Sequence, residues 1–117
     1  MAKSKIEPFW WSLFSAGGMI AAMLFPVLMV IIGIAVPLGL GSDGALSYER
    51  VSGALARPIL RLIVFVLIAL PLFHWAHRFL FTLVDVGLQQ LRTALSILCY
   101  GTAVVGTVIT AWTLLRI

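Results

Sequence analysis

Three long gaps between charged residues constrain this chain more than anything else in it. Residues 8–42, 62–77 and 93–115 contain no Asp, Glu, Lys or Arg. Segments of this length and apolarity are solvated by hydrocarbon, where no water is present to satisfy backbone N–H and C=O groups. Only a helix or a closed barrel meets that condition, and nothing here alternates with the two-residue period of a barrel strand. Composition agrees: 62% of residues are hydrophobic and 10% charged, against roughly 45–50% and 25% in soluble domains. The expected fold is an all-α membrane protein, a single transmembrane domain over residues 1–117 with helices at about 12–39, 58–82 and 93–115. The middle gap is short for a span, but Arg61 and Arg78 at its ends can snorkel and lengthen it.

The first gap poses the opposite problem. A continuous helix over residues 8–42 would reach about 52 Å, well beyond a hydrocarbon core of ~30 Å. Part of it is therefore expected in the interface, where Phe9, Trp10, Trp11 and Phe14 suit an aromatic belt. Gly17 and Gly18 then mark a bend before the spanning part. The run is too long for a signal peptide and no small-residue cleavage site follows it. After it, Gly41-Ser42-Asp43-Gly44 reads as a turn, residues 45–51 as a short surface helix, and Pro58 as the first turn of the second helix. Val84-Asp85-Val86-Gly87 turns the chain again. Neither connection is long enough to bury a core of its own.

Counting positive charges does not orient the chain. Lys3, Lys5, Arg78 and Arg92 fall on one side and Arg50, Arg57, Arg61 and Arg116 on the other, four against four. Connectivity is more useful. Three alternating spans return the end of the second helix to the face on which the chain began, so Trp10 and Trp11 share a level with His77 and Arg78.

Both histidines, His74 and His77, fall within one turn beside Arg78. Indole and imidazole N–H groups, a guanidinium and aromatic faces at one depth suit a flat carbonyl compound such as a quinone head group. They also suit plain anchorage, with Trp at the interface and Arg on lipid phosphate. Two histidines raise haem as well, although His74 and His77 project from one helical face and a haem would need its second ligand from another chain. Pro71 frees the carbonyl of Leu67 and predicts a kink. On the third helix Cys99, Thr102, Ala103, Gly106, Thr107, Thr110 and Ala111 form a stripe of small side chains, the pattern of a close helix–helix interface.

What is missing narrows the chemistry. One cysteine excludes a disulfide framework, a cysteine-ligated cluster and a structural zinc site. Glu7, Asp43, Glu49 and Asp85 lie outside the expected spans, leaving no intramembrane carboxylate to carry protons or cations. The pI near 10 reflects a few surplus cations and points to lipid phosphate rather than nucleic acid. A chain this small with no metal site and no catalytic apparatus is expected to be non-catalytic alone and to serve within a larger complex.

The opening Glu7-Pro8-Phe9-Trp10-Trp11-Ser12-Leu13-Phe14-Ser15-Ala16-Gly17-Gly18-Met19 resembles the D subunit of bacterial quinol:fumarate reductase, its membrane anchor. So do the loop Ala45-Leu46-Ser47-Tyr48-Glu49-Arg50-Val51, Leu70-Pro71-Leu72, and the pair His77-Arg78. The resemblance implies a membrane anchor that pairs with a second three-helix anchor, the C subunit of such complexes. It also implies a flavoprotein subunit with FAD and an iron-sulfur subunit, held at the cytoplasmic face of the bacterial inner membrane. The amino terminus would be cytoplasmic, with no haem. Trp11, Phe14, His77 and Arg78 occupy positions of the family's menaquinol site, with Trp10 and His74 as candidates for a supporting shell. His77 and the aromatic rings would bond and pack the head group while Arg78 polarises a quinone oxygen. The alternatives are a haem-bearing anchor of a succinate dehydrogenase, which shares this architecture, and a small structural membrane protein without a quinone site. The chain departs from the family at Ser15, His74, Trp75 and Phe79-Leu80-Phe81, the last standing where further histidines are usual. His74 either replaces one of those histidines or bonds the carbonyl freed by Pro71.

Overall fold

The computed structural model describes residues 5–117, so Lys3 of the charge count lies outside the described residues. These residues form helices and turns with no strand among them. The long elements are α1 (Glu7–Val30), α3 (Pro58–Leu83) and α4 (Arg92–Arg116), with a short α2 (Tyr48–Leu55) between the first two. Two helical stretches are long and apolar enough to cross a membrane, Glu7–Ala35 and Pro58–Arg116. The second has 59 residues and would measure about 88 Å if straight, yet the longest extent of the molecule is 56 Å. It doubles back at Gly87, whose φ of 123° is open to glycine and strained for other residues. Its limbs α3 and α4 pack against each other as an antiparallel hairpin.

Local chemistry accounts for the element ends. Helix α1 begins at Glu7 rather than near residue 12, because an acidic residue and Pro8 in the first turn both favour a helix start. At its far end the backbone widens through the π turn Ile31–Ala35, with Val36 N–H on the Ile31 carbonyl at 2.9 Å, and stops at Gly39 with φ of 73°. The surface helix starts at Tyr48, capped by Ser47, whose hydroxyl accepts from Arg50 N–H. Arg57 is extended, as a residue before proline must be, and Pro58 opens α3. Arg61 Nε donates to the carbonyl of Leu55 and ties the start of α3 to the end of α2.

Gly17 and Gly18 do not bend α1, which runs unbroken past them. They let α3 approach instead. Gly17 is buried, and a Cβ there would collide with the Leu70 carbonyl; a Cβ at Gly18 would collide with the His74 ring. Helix α3 also continues through Pro71, which is itself buried.

Between α3 and α4 the core is thin and built from small side chains. Ala76 and Ala103 are fully buried, joined by Leu80, Val84 and Cys99. Of the predicted small-residue stripe, Cys99 and Ala103 are buried, Gly106, Thr107, Thr110 and Ala111 are half-buried, and Thr102 is exposed. The hydroxyls of Thr102, Thr107 and Thr110 donate to carbonyls four residues back, which removes their polarity from the helix surface. Arg92 at the head of α4 lies over the Phe81 ring at 5.5 Å and clamps the mouth of the hairpin. Large apolar side chains such as Met19, Met23, Leu38, Val108 and Trp112 remain exposed along the outside. A surface of this kind is covered by lipid or by other apolar chains.

Candidate functional site

The antiparallel run of α1 against α3 brings the aromatic first turns of the chain to the two histidines. His74 Nδ1–H donates to the carbonyl of Phe14 at 2.9 Å, and the two rings stack with centroids 4.3 Å apart. Of the two roles offered for His74, a bond to the carbonyl freed by Pro71 is not the one its Nδ1 makes. A carbonyl on the neighbouring helix accepts the hydrogen bond instead, because Gly17 and Gly18 bring that helix within reach. His74 is thus a clamp between helices.

One turn further on, His77 sits inside a ring of aromatic side chains. Trp11, Phe14 and Phe81 surround it at centroid distances of 6.2, 4.8 and 4.7 Å. Its Nδ1 lies 2.8 Å from the hydroxyl of Tyr100 on α4. These groups border a cavity of about 860 Å³ lying between the first turns of α1, the middle of α3 and one face of α4. Trp10, Trp11, Phe14, Phe65 and Phe73 supply most of its wall, while His77, Tyr100, Thr107 and Glu7 supply its polar groups. That volume lies within the roughly 300–1,000 Å³ of small-molecule sites, and apolar walls with a few polar groups are their usual chemistry.

The predicted site residues therefore divide. Trp10, Trp11, Phe14 and His77 line the cavity together. His74 stands behind Phe14 and steadies it. Arg78 is exposed and does not border the cavity. Consecutive helical residues point about 100° apart, and although Trp10 and Trp11 both reach the broad cavity, the rotation of α3 that turns His77 inward leaves Arg78 outside it.

Sequence reasoning overlooked Tyr100 and the inward placement of Glu7. Tyr100 had a signal. A turn at Gly87 makes α3 and α4 antiparallel neighbours, and His77 and Tyr100 stand ten residues before it and thirteen after it. Glu7 gave none, because its position depends on α1 starting five residues earlier than expected.

Comparison with known proteins places the chain. The family of fumarate reductase D subunits matches residues 1–115. The chain belongs to that family. The fumarate reductase D subunit of Mycobacterium tuberculosis is 46% identical over 111 residues, covering 93% of this chain and 86% of the relative. Those of Photobacterium profundum and Aliivibrio salmonicida are 43% and 40% identical, covering 86% and 92% of this chain and 83% and 88% of the relatives. As a member of this family with two long apolar helical stretches, the chain is a membrane anchor of a fumarate reductase complex. The Gly17–Gly18 contact and the aromatic first turns are thus features of such an anchor.

Proposed function

We propose that this anchor spans the bacterial inner membrane three times, by α1, α3 and α4, with its amino terminus in the cytoplasm. There it forms one wall of a menaquinol site that feeds electrons to fumarate. The observation that carries the proposal is the aromatic cavity at the level of Trp11 and His77. A naphthoquinone head group is flat, apolar on its faces and polar at two oxygens. Aromatic walls meet its faces, and an imidazole among the few polar groups of the cavity meets one oxygen. Arg78, exposed and off the cavity wall, adds positive charge near the site without contacting the head group.

The remaining parts of the reaction belong to partners. A second anchor, the C subunit, would cover the exposed apolar faces. An iron-sulfur subunit would accept electrons from menaquinol, and a flavoprotein subunit with FAD would deliver them to fumarate. Within this chain the work is to bind the head group, keep water from it, and present His77 to its oxygen.

The test separates quinol chemistry from the rest of the complex. Trp11→Leu should lower menaquinol-driven fumarate reduction by about tenfold, as loss of roughly 1.4 kcal/mol of wall contact would. Reduction driven by a soluble dye, which bypasses the membrane site, should stay at the wild-type level. Arg78→Leu should lower quinol turnover less than Trp11→Leu, because its side chain stands off the cavity. Unchanged quinol turnover in assembled Trp11→Leu complex would remove the quinol site from this wall.

A further inference from the structure

The bond between His77 and Tyr100 has a property that the bond of His74 to a backbone carbonyl lacks. A backbone carbonyl beside a ring nitrogen only accepts, so it holds the imidazole in one tautomer. A phenol hydroxyl both donates and accepts. It serves the ring with hydrogen on Nδ1, and equally the ring with hydrogen on Nε2, without either side chain moving.

The surroundings make that property useful. Trp11, Phe14 and Phe81 flank the imidazole and restrict its rotation. Nδ1 is taken by Tyr100 at 2.8 Å. Among the described residues Nε2 has no hydrogen-bond partner, yet no buried side-chain nitrogen or oxygen is left unsatisfied, so Nε2 is open rather than sealed in the packing. His77 borders the cavity, and Nε2 is the ring nitrogen left for its contents.

We propose that Tyr100 is a positioning residue that lets His77 Nε2 meet a ligand oxygen in either of two forms. The ligand class is a compound whose oxygen alternates between hydroxyl and carbonyl. When the hydroxyl form is bound, Tyr100 accepts from Nδ1–H and Nε2 accepts from the ligand O–H. When the carbonyl form is bound, Tyr100 donates to Nδ1 and Nε2–H donates to the ligand. This rests on the menaquinol-site proposal and adds to it the residue that keeps one histidine competent toward both quinol and quinone.

The experiment is a double-mutant cycle in the assembled complex, with menaquinol-driven fumarate reduction normalised to dye-driven turnover. Tyr100→Phe keeps the ring and removes the hydroxyl. It should lower kcat by about tenfold while KM for the quinol stays within about twofold, because the aromatic walls are untouched. His77→Ala should cost at least as much, and adding Tyr100→Phe to it should change nothing further. A structural role would raise KM and persist in the His77→Ala background, and either result overturns the inference. Unchanged kcat in Tyr100→Phe alongside a large loss in His77→Ala overturns it while leaving the menaquinol site standing. Full quinol turnover in His77→Ala removes both.

Discussion

Replacing Gly17 with valine should reduce the amount of assembled complex in the membrane to below about a tenth of the wild-type level. The collision is with the Leu70 carbonyl, which is backbone and cannot swing aside. The segment that carries it is held by a buried Pro71 at its next position and by the His74 bond to Phe14. Overpacking typically costs about 1–3 kcal/mol, and each 1.4 kcal/mol is about tenfold in an equilibrium. A bilayer offers little compensation, since lipid solvates the separated apolar faces nearly as well as they solvate each other. Gly18→Ala provides the comparison. Its added Cβ meets the tip of the His74 imidazole, which can rotate away at the loss of one hydrogen bond, about 1 kcal/mol. Native gel electrophoresis of solubilised membranes reads both variants. Wild-type amounts of intact Gly17→Val complex would mean that α1 is held by something other than this contact.

That pair of glycines also shows where sequence reasoning reached its limit. Two adjacent glycines in an apolar helix are compatible with a bend or with a close neighbour, and the choice depends on what lies opposite. The structure puts the Leu70 carbonyl and the His74 ring there. Features governed by local chemistry were legible in advance: Pro58 at the start of α3, Gly87 at the turn, and the small-residue face of α4 at Cys99 and Ala103. The shared level of Trp11 and His77 was legible too, because it follows from alternation of the helices and not from any detail of packing. Tyr100 and Glu7 depended on rotation and register, which hydrophobic runs leave open. The placement of Arg78 depended on them as well. Adjacent positions on a helix can both face a broad cavity, as Trp10 and Trp11 do, so only the rotation of α3 decides that His77 borders it and Arg78 does not.

Ala103→Leu should destabilise the α3–α4 hairpin by about 1–3 kcal/mol and, through it, lower quinol turnover. Ala103 has no exposed surface and packs in the cluster of Ala76, Leu80 and Cys99, with Leu72 and Tyr100 against its edge. Three added carbon atoms at a fully buried position must displace these neighbours, which pushes α4 away from α3. Tyr100 lies almost one turn before Ala103 on α4, and its hydroxyl reaches His77 across the same interface at 2.8 Å. A displacement of about half an ångström or more breaks a hydrogen bond of that length, since such bonds weaken beyond about 3.2 Å. The variant should therefore combine a lower midpoint of thermal unfolding in detergent with a fall in menaquinol-driven turnover. Dye-driven turnover of the complex that remains assembled should be preserved. Ala103→Ser adds one hydroxyl able to bond back to its own helix, as the neighbouring threonines do, and should leave both properties near wild type. Loss of thermal stability with quinol turnover intact would show that the hairpin core and the histidine site are independent. Loss of both would mean that the small side chains between α3 and α4 hold the hairpin together and also set the distance at which Tyr100 meets His77.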